Sequence, residues 1–131
     1  MTVIVLDMQS VLYARLLERA MLQELDNHQI IISKTPNLTK DICEIHKPRV
    51  VIMEVTGYSP WMLNDRLELS NQIKKNNPEC KIIFMTDGDA DKKLAEQIVK
   101  AKQSGYADSI LFTSVSENFL AAVITSLENQ E

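Results

Sequence analysis

Five short apolar runs alternate with five longer amphipathic stretches, and that rhythm restricts the chain to very few folds. Thr2–Leu6 reads as the first strand. A helical pattern follows from Ser10 to Leu25, with Leu12, Leu16, Leu17, Ala20 and Met21 recurring at three- and four-residue steps. Ile30–Ser33 is a second strand, and Thr35-Pro36-Asn37 separates it from a short helix at Leu38–His46. Lys47-Pro48 ends that helix, because the residue before a proline is pushed out of the α region. Val50–Val55 lacks alternation, as expected of a strand buried on both faces. Ser59-Pro60 predicts an N-cap and first residue for a helix running to Lys75, which Asn76-Asn77-Pro78 closes before strand four at Lys81–Met85. A fourth helix spans Ala90–Gln103 with Gly105 as its stop, and Ser109–Phe112 is strand five. Ser116 caps a last helix to Leu127, with Glu117 at its positive end.

Strand–helix alternation five times over gives an α/β domain of the flavodoxin-like, doubly wound type, a parallel sheet covered by helices on both faces. Right-handed crossovers leave few strand orders, and 2-1-3-4-5 is the commonest for five units. The 131 residues are expected to form one domain, 1–131, with no room for a second core. Such a domain buries roughly two thirds of the surface of its unfolded chain and needs neither disulfide nor metal to fold. Sites in these sheets lie beyond the carboxyl ends of the strands. Here those ends are Asp7-Met8, Glu54-Val55-Thr56, Thr86-Asp87-Gly88 and Thr113-Ser114.

Several function classes fall away on composition. A net charge of −4 argues against direct nucleic-acid binding, which wants a dense basic patch. Lys74-Lys75 and Lys92-Lys93 read as solvated helix faces. Cys43 and Cys80 are too few and too isolated for a disulfide framework or a zinc site, and are expected to be reduced, half-buried thiols. No run reaches the length of a membrane span, and the apolar start is shorter than a signal peptide, so the expected location is the cytoplasm. His28 and His46 have no partner at ligand or triad spacing and read as solvated or capping groups. Met53, Met62 and Met85 read as core filling.

The segments VIVLDM, PRVVIMEV, IIFMTDGD and GYADSILFTSVS, in that order and spacing, resemble the receiver domains of two-component response regulators over nearly the whole chain. The last segment is similar to receivers that precede a helix-turn-helix output domain. The resemblance implies a nucleophilic aspartate after strand three, an acidic pair after strand one for Mg²⁺, a Thr or Ser on strand four and a Lys after strand five. Carboxylates around Mg²⁺ neutralise a transferring phosphoryl group, and Lys and hydroxyl then bind its oxygens.

Placed on that pattern, the chain departs from it at three positions. Met8 stands where the second acid of the pair belongs, beside Asp7. Glu54 takes the nucleophile position, and its extra methylene displaces the carboxylate by about 1.5 Å, enough to spoil in-line attack. Thr113 falls on the Lys position, with Ser114 where a proline usually follows. Thr86 is retained, and Ile110 stands where many receivers carry an aromatic switch residue. Three readings of Glu54 stay open: a slow acceptor, a built-in mimic of a phosphorylated aspartate that reaches toward Thr86, or an acid left at a strand end. Asp7 and Glu54 are the only candidate Mg²⁺ ligands, and thioether Met8 is a poor one for a hard cation, so no resident cofactor is expected. Asp87 and Asp89 read as caps of the following helix. Tyr58 and Trp61, in Thr56-Gly57-Tyr58-Ser59-Pro60-Trp61, read as a loop lid or a partner contact.

The expected function is that of an atypical receiver, not an enzyme, which signals through its surface without phosphorylation. Its partners would be proteins, a histidine kinase or an output domain regulating transcription. A homodimer would use the face of helix four, strand five and helix five, including Ile110 and Phe112. The competing expectation is a phosphorylatable receiver using Glu54 with Mg²⁺. A flavin or cobalamin binder of the same fold lacks support, since Asp7-Met8-Gln9-Ser10 is no Ser/Thr-rich phosphate loop and no Asp-x-His-x-x-Gly occurs.

Overall fold

The five apolar runs form one parallel sheet in the order β2-β1-β3-β4-β5, the order expected of a doubly wound domain. The computed structural model describes residues 1–87, 92–113 and 117–129. Its strands are β1 (Thr2–Asp7), β2 (His28–Ser33), β3 (Val50–Glu54), β4 (Lys81–Thr86) and β5 (Ser109–Phe112). Between them run α1 (Val11–Glu24), α2 (Pro36–His46), α3 (Leu63–Asn76) and α4 (Lys92–Gln103), and α5 (Glu117–Glu128) follows β5.

Side chains alternate across the central strands and so feed two cores. Ile4, Leu6, Ile52, Ile83 and Met85 pack with Ala14, Leu17 and Met21 of α1 and Ile124 of α5. Val5, Val51, Met53, Ile82 and Phe84 pack on the other face with Cys43 of α2, Leu69 and Ile73 of α3 and Ile98 of α4. This parity continues past the strand ends and sorts the site residues. Asp7 follows Val5 toward α2 and α3, whereas Met8 follows Leu6 into the core under α1 and α5.

Most element ends fall within two residues of expectation, and the exceptions have identifiable causes. Lys47 leaves the right-handed α region as anticipated, but enters the left-handed one (φ 46) and donates its N–H to Cys43 O to close α2. That is a common way to finish a helix. Gly105 (φ 88) takes the same conformation beyond α4, where its lack of a Cβ makes it the residue of choice. The third helix does not begin at Ser59-Pro60. That peptide bond is cis, and α3 starts at Leu63 with Met62 as an N-cap that offers no side-chain oxygen. The intervening loop satisfies its own backbone instead: Tyr58 N–H donates to Thr56 Oγ1, Trp61 N–H to Tyr58 O and Thr56 N–H to Trp61 O. The proposed caps at Asp89 and Ser116, like Gly88, Ala90 and Ser114, lie outside the described residues.

Four readings of burial and exposure are corrected by the structure. Lys74 is not simply solvated: its Nζ lies 2.7 Å from Asp108 Oδ2, which also accepts the Ile82 N–H at 2.8 Å. His28 Nε2 pairs with Glu128 at 2.8 Å and its Nδ1 lies 2.6 Å from the Asp26 carbonyl oxygen, tying α5 to the entrance of β2. Met62 is largely exposed rather than core, while Met53 and Met85 are fully buried. Cys43 and Cys80 are free but fully buried, not half-buried.

Burial pushes both thiols up to about 12, with Asp7 and Glu44 adding to the effect at Cys43, and Cys43 to that at Cys80. Thiolates are the reactive form, so the native protein at mildly alkaline pH is expected to leave dithiodipyridine unreacted, both thiols appearing only in urea. Fast labelling of either thiol without denaturant would contradict the packing. Because the folded-state values lie above the ordinary 9.0, whatever stability the neutral thiols confer is complete below that pH and is lost as pH rises toward about 12.

Candidate functional site

Asp7 ends β1 on the α2/α3 side of the sheet and is completely buried. A carboxylate there needs a counter-charge and hydrogen bonds to remain, and both come from residues absent from the site expected on sequence. Arg66, in the first turn of α3 and itself 0% exposed, places Nη1 2.7 Å from Asp7 Oδ2 and Nη2 3.0 Å from the Asp7 carbonyl oxygen. Its Nε donates to the Glu54 carbonyl oxygen at 2.8 Å. Thr39 of α2, also buried, donates its hydroxyl to Asp7 Oδ2 at 2.7 Å. One guanidinium therefore braces the carboxyl ends of β1 and β3 from α3.

The other expected residues lie around this pair without closing on one another. Met8 is 1% exposed and belongs to the α1/α5 core, so the second acid position is a core position here. Glu54 is half-buried, and its Oε1 accepts the Gln9 N–H at 2.8 Å. The Thr86 hydroxyl donates to Val55 O at 3.3 Å. Glu54 and Thr86 are thus each engaged elsewhere, and the anticipated reach of one toward the other is not the bond that forms. Glu54 lies opposite Met85 in the sheet register, so Thr86 is one residue further along β4 and on the other parity.

Thr113 continues β5 through its N–H to Thr86 O, and its carbonyl accepts the Tyr13 hydroxyl at 3.0 Å. Burial, and secondarily the Glu54 carboxylate, raises Tyr13 above the ordinary phenol range, so the hydroxyl stays a donor at neutral pH. Tyr13 of α1 was not among the expected residues. Ile110 is half-buried, and Phe112 is 41% exposed on β5, the edge strand. Of the two loop aromatics, Tyr58 is 70% exposed and Trp61 is half-buried.

Sequence reasoning missed Arg66, yet a signal was available. Arg66, Leu69, Ser70 and Ile73 stand at i, i+3, i+4 and i+7, and all four are buried. A charge on the apolar stripe of a helix has to meet an opposite charge inside.

Against the protein structures already solved, the resemblance is close in shape and distant in sequence. A CheY-like receiver domain protein from Methanospirillum hungatei superposes with a TM-score of 0.77 at 17% identity, covering 98% of this chain and 94% of that one. An orphan response regulator of H. pylori gives 0.76 at 14% identity, over 98% and 97%. A LuxR family DNA-binding response regulator from Silicibacter pomeroyi gives 0.75 at 13% identity, over 98% and 92%. The fold is a receiver fold. No family model and no curated protein matches the sequence. The described residues contain no group of three or more His, Cys, Asp or Glu that could hold a metal ion.

Mg²⁺, the ion such domains imply, does not fit the donors present. It demands six oxygens in near-octahedral array and dehydrates reluctantly. Asp7 Oδ2 and the Asp7 and Glu54 carbonyls are already taken by a cation. Among the described residues Asp7 Oδ1 is buried and has no hydrogen-bond partner, but it is one oxygen beside a guanidinium.

Proposed function

We propose that the chain is an atypical receiver domain of a response regulator, a cytoplasmic protein-interaction module that signals without accepting a phosphoryl group. The observation that carries this reading is the buried Asp7–Arg66 ion pair at 2.7 Å, on the acid that a working receiver devotes to metal. Three further residues support it. Glu54 replaces the acceptor and is held by the Gln9 amide, Met8 is sealed in the core, and Thr113 replaces the Lys that would grip phosphoryl oxygens. Transfer depends on metal, nucleophile and Lys acting as one unit, so changing all three removes it rather than slowing it. As an interaction surface, the reading favours the α4–β5–α5 side, where half-exposed Phe112 and neighbouring Ile110 give an apolar edge to a partner protein or a second copy of the chain. Regulation of transcription through an output domain is the natural consequence, since one structural neighbour is a DNA-binding response regulator. No helix among the described residues is long and apolar enough to cross a membrane.

The test is incubation with acetyl phosphate and Mg²⁺ followed by intact mass. The unmodified mass is expected to persist. A stoichiometric gain of one phosphoryl group, lost in Glu54→Gln, would falsify the reading.

A further inference from the structure

We infer that Arg66 is the resident cation of the carboxyl-edge pocket, holding the oxygens that a divalent metal would need and thereby making the state of the domain independent of Mg²⁺. The inference rests on the receiver reading of this site and names what controls it.

The ligand chemistry points this way. Arg66 gathers Asp7 Oδ2 at 2.7 Å, the Glu54 carbonyl at 2.8 Å and the Asp7 carbonyl at 3.0 Å, with the Thr39 hydroxyl on the same carboxylate oxygen. These are a carboxylate and main-chain carbonyls converging from two strand ends, the oxygen set that hard cations select. A guanidinium satisfies it with directed donors and carries its own charge into the protein. With both partners 0% exposed, water does little to screen a second cation brought alongside. Mg²⁺ would meet a neutralised carboxylate and a repelling guanidinium, and Glu54 already gives one oxygen to Gln9. The consequence is positional as well as electrostatic. The end of β1, the end of β3 and the first turn of α3 are fastened together by the side chain itself, where a metal-using site would be fastened only when loaded.

Thermal unfolding of the full chain in MgCl₂ and in NaCl of equal ionic strength tests this, in three proteins. The wild type is expected to melt at the same temperature in both salts. Arg66→Met is expected to melt at least about 10 °C lower in NaCl, because Asp7 is left buried and unpaired, and to recover part of that loss in MgCl₂. Asp7→Asn/Arg66→Met is expected to melt above Arg66→Met in NaCl and to ignore MgCl₂. A wild-type melting temperature raised by MgCl₂, or bound Mn²⁺ detected by water-proton relaxation in the wild type, overturns the inference. So does an Arg66→Met protein that folds and does not respond to MgCl₂. Should Arg66→Met not fold at all, the wild type and the double variant carry the test, since a double variant that also fails to fold removes the charge-pairing argument. A wild type that binds Mg²⁺ yet takes no phosphoryl group sinks this inference and leaves the signalling reading standing, whereas an acyl phosphate sinks that reading first.

Discussion

Asp7→Ala is expected to lower the unfolding free energy by about 3–5 kcal/mol, the cost of leaving one member of a buried ion pair without its partner. The direction matters more than the size. In a pocket built from clustered, unpaired carboxylates, deleting one acid relieves like-charge repulsion and stabilises the fold. Here the acid faces Arg66 Nη1 at 2.7 Å and the Thr39 hydroxyl at 2.7 Å, and its removal takes the counter-charge from Arg66, while Thr39 still has Ser33 Oγ at 2.6 Å. Arg66 would keep its bonds to the Glu54 carbonyl and to the main-chain carbonyl of residue 7, but its charge would lie fully buried without the carboxylate that faces it. Urea unfolding at neutral pH reads the difference, with an unchanged slope confirming that the folded state rather than its compactness was altered. Given that single domains are stable by only about 5–15 kcal/mol, the loss is a large share of the total. A midpoint that rises or stays put would mean that Asp7 is not paired in solution.

The architecture was legible because each strand carried its own evidence. Thr2–Asp7 carries β-branched residues between a polar first and last residue, Ser109–Phe112 is an apolar run between Asp108 and Thr113, and five such runs with helical spacers admit one common sheet order. Asp7, Glu54 and Thr86 were placed correctly at the carboxyl edge for the same reason: strand ends in a parallel sheet share an edge whatever their side chains do. What lay beyond local pattern was the pairing. Arg66 is 59 residues from Asp7 in sequence, and although its place on the buried stripe of α3 calls for an opposite charge inside, nothing local says which one. Thr39 likewise reads as an ordinary helix residue until α2 is laid against β1. Ser59-Pro60 misled for a different reason. The dipeptide is a good helix start in isolation, but hydrogen bonds among Thr56, Tyr58 and Trp61 close a loop there first. Local signals thus give the strand ends, and long-range charge compensation decides which side chains meet there.

Met8 is where these two levels conflict most directly, and the conflict can be measured. The position resembles the second acid of a metal-holding pair, and Met8→Asp is the obvious first step in rebuilding one. Yet Met8 is 1% exposed and packs in the same core as Leu6, Ala14, Leu17, Met85 and Ile124. An aspartate there loses the thioether packing and puts a carboxyl among apolar side chains, so a destabilisation of about 3 kcal/mol or more is expected at neutral pH. Burial raises the folded-state pKa of such a carboxyl above its unfolded value. Protons therefore bind more tightly in the folded state, and the stability of the variant falls as pH rises through that window. Relative to the wild type, the deficit should be smaller near pH 4 than at pH 7, while Met8→Leu should cost little at either pH. Urea midpoints for the three proteins at the two pH values decide it. An equal deficit at both would place the new carboxyl in water, and would mean that the end of β1 can open toward the pocket as in a metal-binding site. If the deficit is pH-dependent as expected, Met8→Asp, Glu54→Asp and Thr113→Lys together will not restore phosphoryl transfer while Arg66 stays on Asp7, because the rebuilt acids would still share their pocket with a fixed cation.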